Sequence, residues 1–129
     1  MTIGVGRKLF DGTIGLLQRS LDLRTSRHKL LAGNIANAET PQYVPKDLPF
    51  EKILERSVRG TSAIGLSRTH RDHFEEDVTT TLGSEPVPGG VQIDEMMSKL
   101  AENNLRFQSD VQALVKKLEA LKLVISEGR

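Results

Sequence analysis

The chain has 129 residues, which favours one domain, and only 4% of them are aromatic, with no tryptophan. So few large rings favour helices that pair through leucine, isoleucine and valine over a compact globular core. Charged residues make up 27% of the chain but nearly balance at +1, which argues against nucleic-acid or anionic-membrane binding, and the absence of cysteine excludes disulfides and thiolate metal sites.

The N-terminal segment Met1–Lys8 lacks the apolar stretch that follows a basic start in secretory signals, so we expect no Sec-type signal peptide. No window of the sequence approaches the roughly 20 apolar residues that span a bilayer, so we expect no transmembrane segment. Taken alone, these observations favour the cytosol, unless the chain is exported by a route that reads no cleaved signal.

Residues 1–39 are predicted to form an N-terminal coiled-coil helix, because apolar side chains recur with alternating spacings of four and three. Arg24 and His28 are the polar exceptions in this row. The remaining members of this N-terminal row are Phe10, Ile14, Leu17, Leu21, Leu31, Ile35 and Ala38.

A second row of leucines repeats every seven residues beside the first, and we call it the second face: Leu9, Leu16, Leu23 and Leu30. The two rows together give an apolar arc that is wider than one partner helix covers. The second face could pack against the middle of the chain or against another subunit. The aromatic-poor middle offers little to cover so long a helix, which favours another subunit.

The end of this helix carries the most informative local pattern, Asn34 to Tyr43. Thr40-Pro41 stops the helix, because proline pushes the preceding residue out of the α region. Asn34 and Asn37 lie in the last turn, where their amides can satisfy free carbonyls or a neighbouring chain. A polar helix end terminated by proline suggests a fixed junction and not a catalytic pocket.

The middle segment, residues 40–92, holds all five prolines of the chain. Asp47–Glu51 is predicted to open a short helix that reaches about Val58, with Pro49 in its first turn. Residues 63–67 and 78–82 favour short strands because β-branched side chains and alternation occur there. Residues 83–90, rich in glycine and proline, are predicted to form a loop.

Residues 93–129 are predicted to form a C-terminal coiled-coil helix with the same spacing, interrupted only by Asn104. A chain that runs up and then down pairs its two long helices antiparallel, and aligning Pro41 with Gly90 places residue i opposite about residue 131 − i. Asn104 then faces Arg27 and His28 in a polar layer that fixes the register. The apolar members of the C-terminal row are Ile93, Met97, Leu100, Phe107, Val111, Leu114, Leu118, Leu121 and Ile125.

One cluster has metal-like chemistry, His70 and His73 with the acidic run 75–77 behind them. Two imidazoles three residues apart could share a metal on a helix, but the segment is a weak helix former and no third ligand has a familiar spacing. We therefore expect an exposed polar segment. No catalytic triad, phosphate-binding loop or nucleophile elbow occurs, so we expect no catalytic, cofactor-binding or metal-binding residues and no cofactor.

The segment Leu30–Tyr43 resembles the signature shared by bacterial flagellar rod, hook and hook-associated axial proteins. That signature reads Asn-Ile/Leu-Ala-Asn, two residues, Pro-Gly and an aromatic residue, so Asn34, Asn37, Pro41 and Tyr43 are its members here. The short length and matches at 47–54, 68–74 and 93–108 narrow the resemblance to the basal-body rod proteins, specifically to the proximal rod.

Gln42 departs from the family pattern, which has glycine at this position. A type II turn requires a positive φ there, which glycine accepts and glutamine resists. Two alternatives follow: a type I turn, or a strained Gln42.

The resemblance implies a non-enzymatic structural subunit of the proximal rod, which assembles through its terminal helices into the drive shaft that transmits torque. It implies export through the flagellar type III apparatus without a cleaved signal peptide, and a place in the periplasmic part of the basal body. The implied partners are further copies of the chain, other rod proteins, the rod-to-ring adaptor protein, the membrane ring and the export gate. From the residues alone, a soluble coiled-coil adaptor or secretion chaperone is the alternative.

Overall fold

A computed structural model of the chain describes residues 2–59 and 83–128, with two long terminal helices around a small middle segment. This architecture confirms the predicted mainly α fold. Each long helix has 35 residues, which corresponds to about 52 Å at 1.5 Å per residue. The elements in chain order are α1 (Thr2–Ala36), β1 (Lys46–Asp47), α2 (Phe50–Val58), β2 (Glu85–Pro86) and α3 (Ile93–Glu127).

The long helices α1 and α3 pack antiparallel, and the predicted register is confirmed. The Ser20 hydroxyl donates a 2.5 Å hydrogen bond to Asp110 Oδ2, and Asn34 Nδ2 lies 3.6 Å from the sulfur of Met96. Both pairs lie within one residue of the register predicted from the alignment of Pro41 with Gly90.

The face that α3 turns towards α1 differs from the predicted one by a rotation. Met96 and Asn103 are buried, whereas Met97, Val111 and Leu118 are exposed. Leu100, Phe107, Leu114 and Leu121 are half-buried, while Ile93 and Ile125 are also exposed. About half of the predicted C-terminal row therefore does not face α1. The adjacent row faces α1 instead, because its polar members Asn103 and Asp110 have hydrogen-bond partners on α1.

The predicted polar layer exists, but it contains different residues. Asn104 and His28 are both exposed, so the prediction that they face each other is wrong. Asn103 is buried instead, and its Nδ2 donates to the carbonyl oxygen of Arg24 at 2.9 Å.

The N-terminal row lies largely on the packed side of α1. Leu31 is fully buried, Arg24 is buried, and the other described members are half-buried except His28. The side chains of Leu9 and Phe10 lie outside the described residues. The half-buried members are Ile14, Leu17, Leu21, Ile35 and Ala38.

Two of the four leucines of the second face, Leu23 and Leu30, lie against the middle segment, which corrects the expectation that these two face another subunit. Leu23 is buried in a cluster with Leu48 and Ile53, and Leu30 packs against the same cluster. Leu23 and Leu30 therefore face the middle segment, because Leu48, which follows β1, and Ile53 of α2 supply aliphatic side chains where aromatic ones are few. Leu16 remains 38% exposed.

The middle segment contains the predicted short helix and one unpredicted pairing. The helix α2 ends at Val58 as expected, and Pro49 caps its start. β1 pairs antiparallel with β2, with Lys46 opposite Pro86 and Asp47 opposite Glu85. β2 lies inside the predicted loop 83–90.

Some predictions fall on segments that the structure does not describe. The strands predicted at 63–67 and 78–82 and the His70/His73 cluster lie outside the described residues and stay predictions. Within residues 2–59 and 83–128, no helix is both long enough and apolar enough to cross a bilayer.

Candidate functional site

Asn34, the first asparagine of the motif, joins three elements with one side chain that is fully buried. Its Nδ2 donates to the carbonyl oxygen of Lys46 at 2.7 Å, and its Oδ1 accepts from the amide of Lys46 at 3.2 Å. The same Oδ1 accepts from the hydroxyl of Tyr43 at 3.0 Å. With Met96 of α3 beside it, Asn34 ties the end of α1 to β1 and to the second long helix.

Asn37, the second asparagine, completes the end of α1. Its Nδ2 donates to the carbonyl oxygen of Gly33 at 2.8 Å, and its Oδ1 accepts from Thr40 Oγ1 at 3.2 Å. The same carbonyl oxygen also accepts from the backbone amide of Asn37 at 3.0 Å. The side chain of Asn37 therefore adds a second hydrogen bond to a carbonyl of the last turn and does not satisfy a free one.

The turn that follows settles the conformation of Gln42. The amide of Tyr43 donates to the carbonyl oxygen of Thr40 at 3.3 Å, which closes a turn over the exposed Pro41 and Gln42. Gln42 has a φ of +62°. A positive φ at this position excludes a type I turn, so Gln42 keeps the backbone of the glycine it replaces and carries strain of about 1 kcal/mol.

Pro45 belongs to this junction although the sequence did not mark it. It is fully buried, and its carbonyl oxygen accepts from the amide of Val87 at 2.8 Å. Periodicity cannot reveal a single buried proline in a segment without regular structure. The five prolines of the middle segment thus differ in role, and Pro45 anchors the chain between the turn and β1.

A polar layer lies between α1 and α3, further along the two helices from the junction. It consists of Ser20, Arg24, Asn103 and Asp110. Arg24 Nε lies 2.9 Å from Asp110 Oδ2, which also accepts from Ser20. The guanidinium of Arg24 lies 4.1 Å from the centre of the Phe50 ring, a cation–π distance. Asn103 Oδ1 is buried and, among the described residues, has no hydrogen-bond partner.

A second charged link fastens β1 to both long helices. Arg27 forms two hydrogen bonds to the carboxylate of Asp47, at 2.9 and 3.0 Å, and Lys99 Nζ lies 4.0 Å from the same carboxylate. The hydrogen bonds to Asp47 raise the pKa of Arg27 above its ordinary value. Because the pKa is raised, the contribution of Arg27 to stability through this link is lost only as the pH rises through the range in which Arg27 gives up its proton.

An open groove of about 410 Å³ lies between α1, α2 and α3. The three arginines in its walls are already paired: Arg24 with Asp110, Arg27 with Asp47, and Arg106 with Glu102. Across the described ranges, no group of three histidine or carboxylate side chains could hold a metal. The groove therefore resembles a packing feature between elements more than a reaction site.

The other prominent surface is a row of apolar side chains along α3, interrupted by the exposed Asn104. We call its apolar members the outer row: Met97, Val111, Leu118 and Ile125. These side chains are between 36% and 62% exposed. They belong to one heptad row that spans 28 residues, or about 42 Å. Long apolar strips of this kind mark protein contact surfaces.

The chain is similar over nearly its whole length to proteins of one kind. It is 28% identical over 127 residues to the flagellar basal body rod protein FlgB of Bacillus subtilis strain 168, which covers 94% of this chain and 98% of the relative. It is 29% identical over 132 residues to FlgB of Escherichia coli K12 and 27% identical over 132 residues to FlgB of Yersinia enterocolitica. Each alignment covers 92% of this chain and 96% of the relative. No protein-family model matches the chain.

The family resemblance of the motif, the paired terminal helices and this end-to-end similarity agree with one another. The narrower likeness to FlgB, expected from the proximal-rod matches, agrees with the relatives' names. The chain is FlgB-like: over nearly its whole length it is similar to flagellar basal-body rod proteins.

Proposed function

We propose that the chain is a structural subunit of the proximal rod, and that it assembles through its terminal helices into the drive shaft that transmits torque. The observation that carries this proposal is the outer row of α3. α3 already packs against α1 through other side chains, yet Met97, Val111 and Leu118 remain exposed over its length. Exposed apolar side chains at heptad spacing are suited to packing against another helix.

The mechanism of such a subunit is mechanical. The two long helices give a stiff element of about 50 Å, and many modest contacts between neighbouring helices would sum to a shaft that resists twisting. The half-buried side chains of α3, such as Leu100 and Leu114, would become fully buried when neighbouring subunits pack against them. No chemical step is required, so we propose that the chain acts without catalysis and without a cofactor.

The location and partners follow from the same proposal. The subunit would lie in the periplasmic part of the basal body and reach it by type III export without a cleaved signal peptide. Its partners would be copies of itself, other rod proteins, the rod-to-ring adaptor protein, the membrane ring and the export gate.

The proposal is tested by placing a charge on the outer row. Val111→Asp and Leu118→Asp, each expressed in the native host without its own copy of the gene, are expected to abolish swimming in soft agar. The introduced carboxylate would have to be desolvated between helices, which costs several kcal/mol without a partner. Basal bodies isolated from these strains are expected to lack the rod when viewed by electron microscopy.

The matched control is Gln112→Asp, which adds the same charge to an exposed polar position on the same helix. This strain is expected to swim normally. Circular dichroism of all three variants should match the parent chain, because the altered positions do not face α1. Normal swimming with Val111→Asp and Leu118→Asp would contradict the rod proposal and favour the soluble adaptor or chaperone.

A further inference from the structure

We propose that the ion pair between Arg24 and Asp110 sets the rotation of α3 about its own axis, and thereby decides which of two heptad rows faces α1. The inference concerns the folding of the single chain and does not depend on the proposed role in the rod. It starts from the difference between the predicted and observed faces of α3.

Two rotational settings of α3 are compatible with its sequence. Both use the half-buried row that contains Leu100 and Phe107. The observed setting adds Met96, Asn103 and Asp110, whereas the alternative adds the residues one position later, Met97, Asn104 and Val111. Because neighbouring residues lie 100° apart on a helix, the centres of these two faces differ by a rotation of about 50°.

Apolar burial alone favours the alternative setting. It would place Val111 against α1 in exchange for Asp110, and it would cover Leu118 and Ile125, which are 48% and 62% exposed. The structure adopts the other setting, with a carboxylate towards α1. A contribution other than apolar burial therefore determines the rotation.

Arg24 supplies that contribution. It is buried with a relative exposure of 6%, covered on one side by the Phe50 ring, and its Nε lies 2.9 Å from Asp110 Oδ2. Rotation to the alternative setting would replace this carboxylate by the side chain of Val111. A buried cation would then lose its partner, which is strongly unfavourable.

The neighbouring asparagines do not distinguish the settings. Asn103 donates to the Arg24 carbonyl in the observed setting, and Asn104 lies at the same height on the adjacent row. An amide is therefore available to that carbonyl in either case. The two settings differ in the side chain that they place towards α1 at this height. The observed setting places the carboxylate of Asp110 there, and the alternative places Val111.

The test exchanges these two side chains and follows the rotation with cysteine labelling. The full chain has no cysteine, so Met96→Cys and Met97→Cys provide single reporters on the two rows. In the parent chain the cysteine at position 97 is expected to react rapidly with a thiol reagent, and the one at position 96 slowly. In the Asp110→Val/Val111→Asp background the composition is unchanged but the carboxylate moves to the other row. There the order of reactivity is expected to reverse, with labelling at position 97 slowed about tenfold by burial.

A second background removes both charges, Arg24→Leu/Asp110→Asn, so that neither ion is left buried alone and position 110 stays polar. The preference for the observed setting is then lost, and labelling at position 97 is again expected to slow. The matched control is Glu102→Leu/Arg106→Leu, which removes an exposed ion pair of 2.7 Å on the same helix and should leave the order of labelling unchanged.

Three results would overturn the proposal. The exchanged variant could keep the parent order of labelling while its circular dichroism remains helical. The charge-free variant could keep that order, which would assign the rotation to other contacts such as that of Asn34 with Met96. Equal labelling of positions 96 and 97 in the parent chain would also contradict it.

Discussion

The two ends of α3 differ in how far their apolar side chains are buried. Near its start, Met96 is fully buried against Asn34. Beyond Leu114, large apolar side chains such as Val115, Leu118 and Val124 are between 47% and 60% exposed. The first end is packed within the chain on the side of Met96, with Ile93 and Met97 exposed on the other side, whereas the second end leaves most of its apolar surface uncovered.

This contrast shows that folding and association draw on different parts of one helix. The junction end uses directional hydrogen bonds and buried ion pairs, which specify a unique arrangement at some cost in desolvation. The far end uses apolar side chains without such partners, and these gain free energy only when another surface covers them. Substitutions at the two ends should therefore affect different properties.

The largest effect on the isolated chain is expected for Asn34→Ala. The change removes three hydrogen bonds and leaves the peptide groups of Lys46 and the Tyr43 hydroxyl without a partner, so the free energy of unfolding should fall by about 4 kcal/mol. Urea denaturation followed by circular dichroism measures this. The control Asn104→Ala, at an exposed position on α3, should change it by less than about 0.5 kcal/mol. Equal losses for the two variants would mean that the junction does not control the fold.

A smaller loss is expected for Leu23→Ala, within the cluster of Leu48 and Ile53. Truncation of a buried leucine leaves a cavity and should lower the free energy of unfolding by about 3 kcal/mol. Leu16→Ala lies on the same heptad row but is 38% exposed, so the same measurement should give a loss below about 1 kcal/mol. Similar losses at both positions would place Leu16 in the same packed core.

The smallest effect, and one of opposite sign, is expected for Gln42→Gly. Glycine adopts the φ of +62° without strain, so the free energy of unfolding should rise by up to about 1 kcal/mol. Gln42→Ala keeps a Cβ and therefore keeps the strain, which makes it the matched control and should change little. A destabilising Gln42→Gly would show that the glutamine side chain itself contributes to the turn.

Much of the fold follows from local rules in the sequence. The spacing of apolar residues indicated both long helices, and Thr40-Pro41 marked where α1 has to end. The alignment of Pro41 with Gly90 gave the antiparallel register to within one residue.

The rotation of α3 could not be obtained in that way. Periodicity ranks rows by their apolar content, and it prefers Val111 to Asp110. The choice depends on Arg24, a residue 86 positions away whose burial is a property of the folded pair. Leu23 and Leu30 were misassigned for a related reason, since the aliphatic cover from Leu48 and Ile53 depends on how the middle segment folds back.

The junction was recognisable as a motif, but its internal bonds were not. Two-residue strands leave no periodic signal, so nothing in the sequence paired Lys46 with Pro86 or directed Asn34 towards β1. Likewise, local propensity disfavours a positive φ at Gln42, and the observed conformation reflects the geometry that the rest of the turn requires.

The Asn34 amide has a further consequence for β1, because it imitates a peptide group. It donates to the carbonyl and accepts from the amide of the same residue, Lys46, as an adjacent strand would do. β2 contacts the other side of this segment through the bond from Val87 to Pro45. A two-residue strand thus has both of its edges occupied, one by a strand and one by a side chain, so it offers no template on which a foreign strand could grow.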